Sequence, residues 1–144
     1  MRWRLVDRVD RFESWRLLAG RKAVSLEEYS LLEPLGRRGV LPESLVLACC
    51  VEMARWLAAA SSGFELTGAL ESVENMNFAR QARPGAALEI CAETTRSGDA
   101  LRADCVVRCG GEELAAGRIG LALVPLAGSF DREWVEGVWK ELRG

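Results

Sequence analysis

The chain reads as an α+β domain: a long central helix wrapped by a curved antiparallel sheet, plus a short C-terminal helix. Three observations predict this. The run from Ser44 to Ser61, SLVLACCVEMARWLAAAS, is apolar on nearly every face. The segments after it are strand-like and separated by turn signals. Near the end, Asp131 to Arg143 carries an apolar stripe at helical spacing.

In chain order, Leu5 to Phe12 alternates loosely, with Val6 and Val9 among charged neighbours, and is expected to be a first strand. Arg21 to Leu26 is a second extended segment, opened by the turn signal Ala19-Gly20. Leu31 to Pro42 is loop-like, with Gly36, Gly39, Pro34, Pro42 and the pair Arg37-Arg38. The central segment is too long and too rich in Ala, Leu and Met for a strand. Only Glu52 and Arg55 are charged within it, so it reads as a buried helix. Ser44 is its expected N-cap and Gly63 its stop. Strands follow at Phe64 to Phe78, Leu88 to Arg96, Leu101 to Cys109 and Glu113 to Val124. The turns between the later ones are Arg83-Pro84-Gly85, Ser97-Gly98-Asp99 and Gly110-Gly111. Leu88, Ile90 and Ala92 alternate with Glu89, Cys91 and Glu93, the period of a strand with one face buried. Trp134, Val135, Val138, Trp139 and Leu142 form the stripe of the last helix, expected to dock on the domain's own sheet. A partner-binding helix is the alternative. A helix wrapped by a meander in this order is the hotdog arrangement, which the pattern alone makes one candidate among several α+β folds. It divides the chain into a hotdog domain at 1–128 and a C-terminal amphipathic helix at 129–144.

With 144 residues, 49% apolar and 28% charged, this is one ordinary globular domain. A net charge of −2 argues against general nucleic-acid affinity. No uncharged apolar window reaches membrane-spanning length, and the N-terminus lacks a signal-peptide core, which points to the cytoplasm. The five cysteines, Cys49, Cys50, Cys91, Cys105 and Cys109, read as reduced small hydrophobes, and no metal site or cofactor is expected. The chain has no histidine. That removes Ser-His-Asp, Cys-His and His-metal chemistry together, and leaves Cys49-Cys50 without a base to make a thiolate.

Several strings resemble the 3-hydroxyacyl-acyl-carrier-protein dehydratases, in the family's order from residue 5 to 124. Leu5-Val6-Asp7-Arg8-Val9 resembles the opening strand, Gly20-Arg21-Lys22-Ala23-Val24 the next, and Glu33-Pro34 the pair that leads into the catalytic loop. Leu41-Pro42 resembles the start of the central helix. Asn77-Phe78-Ala79-Arg80, Arg83-Pro84-Gly85-Ala86-Ala87-Leu88 and Gly111-Glu112-Glu113-Leu114-Ala115-Ala116-Gly117 resemble the later strands and turns. The active site departs from the pattern. The family's histidine loop is shortened here to Leu35-Gly36-Arg37-Arg38-Gly39-Val40, and its helical acid falls on Ala48.

The resemblance implies a protein of fatty-acid or polyketide-type metabolism that binds an acyl thioester of acyl carrier protein or CoA. The His and acid of the dehydratase centre are absent. Losing a positioned acid–base group costs about 10²–10⁴ in rate. Leu41, Pro42, Leu45, Ala48, Cys49 and Phe78 are the expected substrate-binding residues. Arg37, Arg38, Arg80 and Arg83 are the expected carrier-protein contacts. Glu52, one turn past Ala48, is the candidate displaced acid. Its alternatives are pairing with Arg55 or reaching a subunit interface. The family's tunnel lies between subunits, so a homodimer or higher homo-oligomer is implied. Two further readings are a hetero-oligomer with an active dehydratase and a scaffold with no ligand.

Overall fold

The computed structural model describes residues 5–24, 43–83 and 85–144. The loop-like stretch from Leu31 to Pro42, with Arg37, Arg38, Leu41 and Pro42, lies outside the described residues, as does Pro84 of the expected turn.

Two strands open the fold, β1 (Arg8–Glu13) and β2 (Leu17–Ala23). The first was expected from Leu5, but the amides of Leu5 and Val6 donate to the Glu52 side chain and leave no ladder there. The second starts earlier than expected, because Ala19-Gly20 lies inside β2 and makes no turn. A Cβ on Gly20 would run into the Arg8 carbonyl, beside a register shift between Val9 and Arg11. This glycine allows backbone approach at a bulge. The hairpin turns instead at Trp15, with φ 57°. Its amide donates to Ser61 Oγ at 2.8 Å, its carbonyl accepts from Thr94 Oγ1 at 2.9 Å, and Arg96 covers its ring at 4.2 Å. Those contacts hold a conformation that few non-glycine residues adopt.

The central helix is α1 (Glu43–Ser61). Ser44 falls within its first turn and so is not the N-cap. Gly63, φ 66°, ends it as expected: Phe64 N donates to Ala59 O and Gly63 N to Ala60 O, which satisfies the last carbonyls. Four strands follow, β3 (Leu66–Phe78), β4 (Ala87–Ser97), β5 (Ala100–Cys109) and β6 (Glu112–Pro125), and then α2 (Arg132–Arg143). All pairings are antiparallel, in the order β1-β2-β4-β5-β6-β3. Leu88, Ile90 and Ala92 are buried and their alternating neighbours are not, as the period predicted.

Val46, Cys49, Cys50, Met53, Ala54, Leu57 and Ala58 turn one face of α1 onto the sheet, against residues such as Leu18, Ile90, Leu101, Ile119 and Leu121. Each fully buried side chain of this size contributes roughly 1.5–3 kcal/mol. By length and composition α1 could cross a membrane. The sheet covers its apolar face instead. All five cysteines are free, and three are buried. The last helix is capped by Asp131, whose side chain accepts from Glu133 N, and at its other end Gly144 N donates to Glu141 O. It docks within the domain: Leu142 is in the main core, and Trp139 stacks on Trp56 of α1 and meets Phe12 of β1 edge-on.

Candidate functional site

The face of α1 turned away from the sheet carries Ser44, Leu47, Ala48, Val51, Glu52, Arg55, Trp56 and Ala59. Their spacing of three and four places them on one stripe. Along it runs a groove of about 440 Å³, within the size range of small-molecule sites. Leu5 borders it on one side, Thr67 and Leu70 of β3 on another, and Leu126, Phe130, Trp134 and Val135 of the C-terminal segment at its far end. The lining is mostly apolar. Ala48, where a larger side chain would fill the space, leaves the floor open.

Two charges stand in this groove. Glu52 accepts from Val6 N at 2.7 Å and from Leu5 N at 3.1 Å, one bond to each carboxylate oxygen. Arg55 donates Nε–H to the Gly68 carbonyl of β3 at 2.9 Å. The carboxylate thus straps the segment before β1 to α1, and the guanidinium ties α1 to β3. Arg55 is exposed at the groove, and its further N–H groups can orient a polar ligand group there.

Of the other candidate residues, Ala48 and Glu52 line the groove. Leu45 packs against the core from a partly buried position, and Cys49 is wholly buried on the sheet-facing side of α1. Phe78 stands 37% exposed at the far end of β3, which runs past the groove. Arg80 pairs with Glu112, and Arg83 lies exposed in the following turn. The structure therefore gathers Ala48 and Glu52 but not Cys49, Phe78, Arg80 and Arg83. Among the described residues, no three His, Cys, Asp or Glu side chains converge to hold a metal. Cys50 lies against Cys105 of β5. A hydrogen bond between the two thiols, then burial, pushes the Cys50 thiol far above its ordinary range. Such a thiol is inert as a nucleophile.

Leu126, Phe130, Trp134 and Val135 were not anticipated as lining a site. The stripe on the last helix was visible in the sequence, but not the surface it would meet.

A hot-dog-like protein from Thermanaerovibrio acidaminovorans superposes with a TM-score of 0.67. The match is 13% identical and covers 92% of this chain and 95% of that one. The fold is the hotdog fold. A Streptococcus mutans protein bound to acetyl-CoA matches with a TM-score of 0.66 and 12% identity, over 82% of this chain and 88% of that one. A thioesterase from Haemophilus influenzae matches with a TM-score of 0.65 and 14% identity, over 85% and 81%. At these identities the likeness is one of fold. No protein-family model matches this hotdog chain, and no curated protein matches it significantly.

Proposed function

We propose that this protein binds an acyl thioester, of CoA or of acyl carrier protein, with the acyl chain in the groove along α1. The observation that carries the reading is the groove itself: an open, mostly apolar channel on the helix of a hotdog fold, floored by Ala48. A scaffold with no ligand would pack that space, whereas Trp56 forms a wall and leaves it empty. The bound acetyl-CoA of the Streptococcus mutans neighbour and the thioesterase name of the Haemophilus influenzae one support a thioester as ligand. The chain resembles the dehydratases in its strings but lacks their histidine and has Ala48 at the acid position. Its role is to hold the acyl group, without the standard dehydration centre.

The edge strand β3 supports pairing with a second hotdog chain. Leu70 and Val73 stand 40% and 43% exposed on it, a surface that an identical or related subunit would cover. A homodimer is the simpler form. An active dehydratase subunit on the same edge is the hetero-oligomeric one.

One observation favours a second reading, an enzyme that uses Glu52: the side chain lines the groove beside Arg55. The two readings separate in one experiment. Acyl-CoA binding is measured by calorimetry, and 3-hydroxyacyl-CoA and saturated acyl-CoA are incubated and followed by mass spectrometry. Binding without enoyl or free-acid product is expected. Turnover abolished by Glu52→Gln replaces the binding role with a catalytic one. No binding of any acyl thioester overturns both.

A further inference from the structure

We infer that the segment from Leu126 to Val135 is the end wall of the groove and sets the length of acyl chain that it accepts. This rests on the acyl-binding reading. The groove follows α1 from its first turn, at Ser44, to its last, at Ala59. Its charged lining residues, Glu52 and Arg55, stand before that last turn. Beyond Arg55, among the described residues, no charged side chain lines it. There Ala59, Leu126 and Val135 form a small buried cluster of their own, with Trp56, Phe64 and Trp134 packed on it. A chain whose polar end sits toward Glu52 and Arg55 therefore runs its tail into this cluster.

The wall is fixed from both sides: at its start, Leu126 N donates to the Glu65 carbonyl at 2.9 Å. Arg132, at the start of α2, donates to the Gly63 carbonyl at 2.9 Å and reaches Glu65 at 3.7 Å. Farther along α2, Trp139 is held between Trp56 and Phe12, and Leu142 is wholly buried. An element tied at both ends acts as a stop and not as a lid. Trp134 is its bulkiest groove-lining side chain, and Phe130, 46% exposed, stands at its rim.

The test is calorimetric titration with CoA and with butyryl-, octanoyl-, dodecanoyl- and palmitoyl-CoA. The wild-type protein should gain affinity by about fourfold for each methylene buried, then stop gaining at a definite length. Trp134→Ala should move that break to longer chains. Ala48→Leu, at the other end of the groove, should weaken every acyl-CoA without moving it. Phe130→Ala carries the same test at an exposed position that folding tolerates, should Trp134→Ala fail to fold. A break at an unchanged length in folded Trp134→Ala and Phe130→Ala protein overturns the wall while leaving acyl binding intact. A wild-type protein that binds CoA and every acyl-CoA alike, or none, overturns the acyl-binding reading, and the wall falls with it.

Discussion

Glu52 spends its two carboxylate oxygens on the amides of Leu5 and Val6, which explains how a charged residue is kept on an apolar helix. Hydrogen bonds to a charged acceptor contribute about 1.5–3 kcal/mol each when protected from water, and less at this partly buried position. Glu52→Ala should lower unfolding stability by about 1–3 kcal/mol in urea titration, with faster hydrogen exchange at Leu5 and Val6. Unchanged exchange there would remove the strap. At Cys50 the effect is one of pH. The thiol pair with Cys105 and burial raise its pKa. In the unfolded chain a thiol ionises above about 8.5. At higher pH the folded form therefore holds the extra proton. The contribution of Cys50 is intact below that value and falls as pH rises, by up to about 1.4 kcal/mol per pH unit. Urea midpoints taken at neutral and alkaline pH should converge between wild type and Cys50→Ala as pH rises. A constant gap would sink this account.

At the scale of elements, the two helices differ in how much their own sequences reveal. The periodic stripe of α2, with Asp131 before it and Gly144 after, specifies both the helix and its buried side. That side joins two clusters, the main core through Leu142 and the groove's end through Val135. Leu142→Ala should cost about 2–5 kcal/mol, read from the shift in denaturation midpoint. A loss under 1 kcal/mol would mean that α2 is only loosely docked. The central helix is apolar all round, so its sequence could not say which face meets the sheet. The structure assigns Cys49 and Cys50 to the core and Ala48 and Glu52 to the groove. Gly20 illustrates the same limit within a strand. Its dipeptide reads as a turn locally, but the requirement it meets is the Arg8 carbonyl of a neighbouring strand.

For the whole molecule, β3 is an edge strand among the described residues, and the proposed pairing with a second chain would use that edge. Leu70 and Val73 give it exposed apolar side chains, and its register shifts between Leu70 and Ser72 and between Glu74 and Asn77 limit how a second strand can align. A partner on this edge would lie beside Leu70, a lining residue of the groove. Val73→Lys should therefore shift sedimentation toward the monomer at micromolar concentration and weaken acyl-CoA binding in parallel. A variant that sediments like the wild type would place assembly on another surface. The groove is otherwise built within one chain, from segments as distant as Leu5 and Val135.

By itself, the sequence determined the elements and their order. The four strands after α1, their turns and both helices follow from period, glycine position and capping, which are interactions between near neighbours. It also excluded histidine-based chemistry, because composition needs no structure. The tertiary structure decided what lies next to what: that the amides of Leu5 and Val6 meet Glu52, that Gly20 meets Arg8, and that Trp134 lines the same groove as Ala48. These are contacts between residues far apart in the chain. Each depends on which face of α1 the sheet covers, and a helix apolar on every side does not encode that choice in its own pattern.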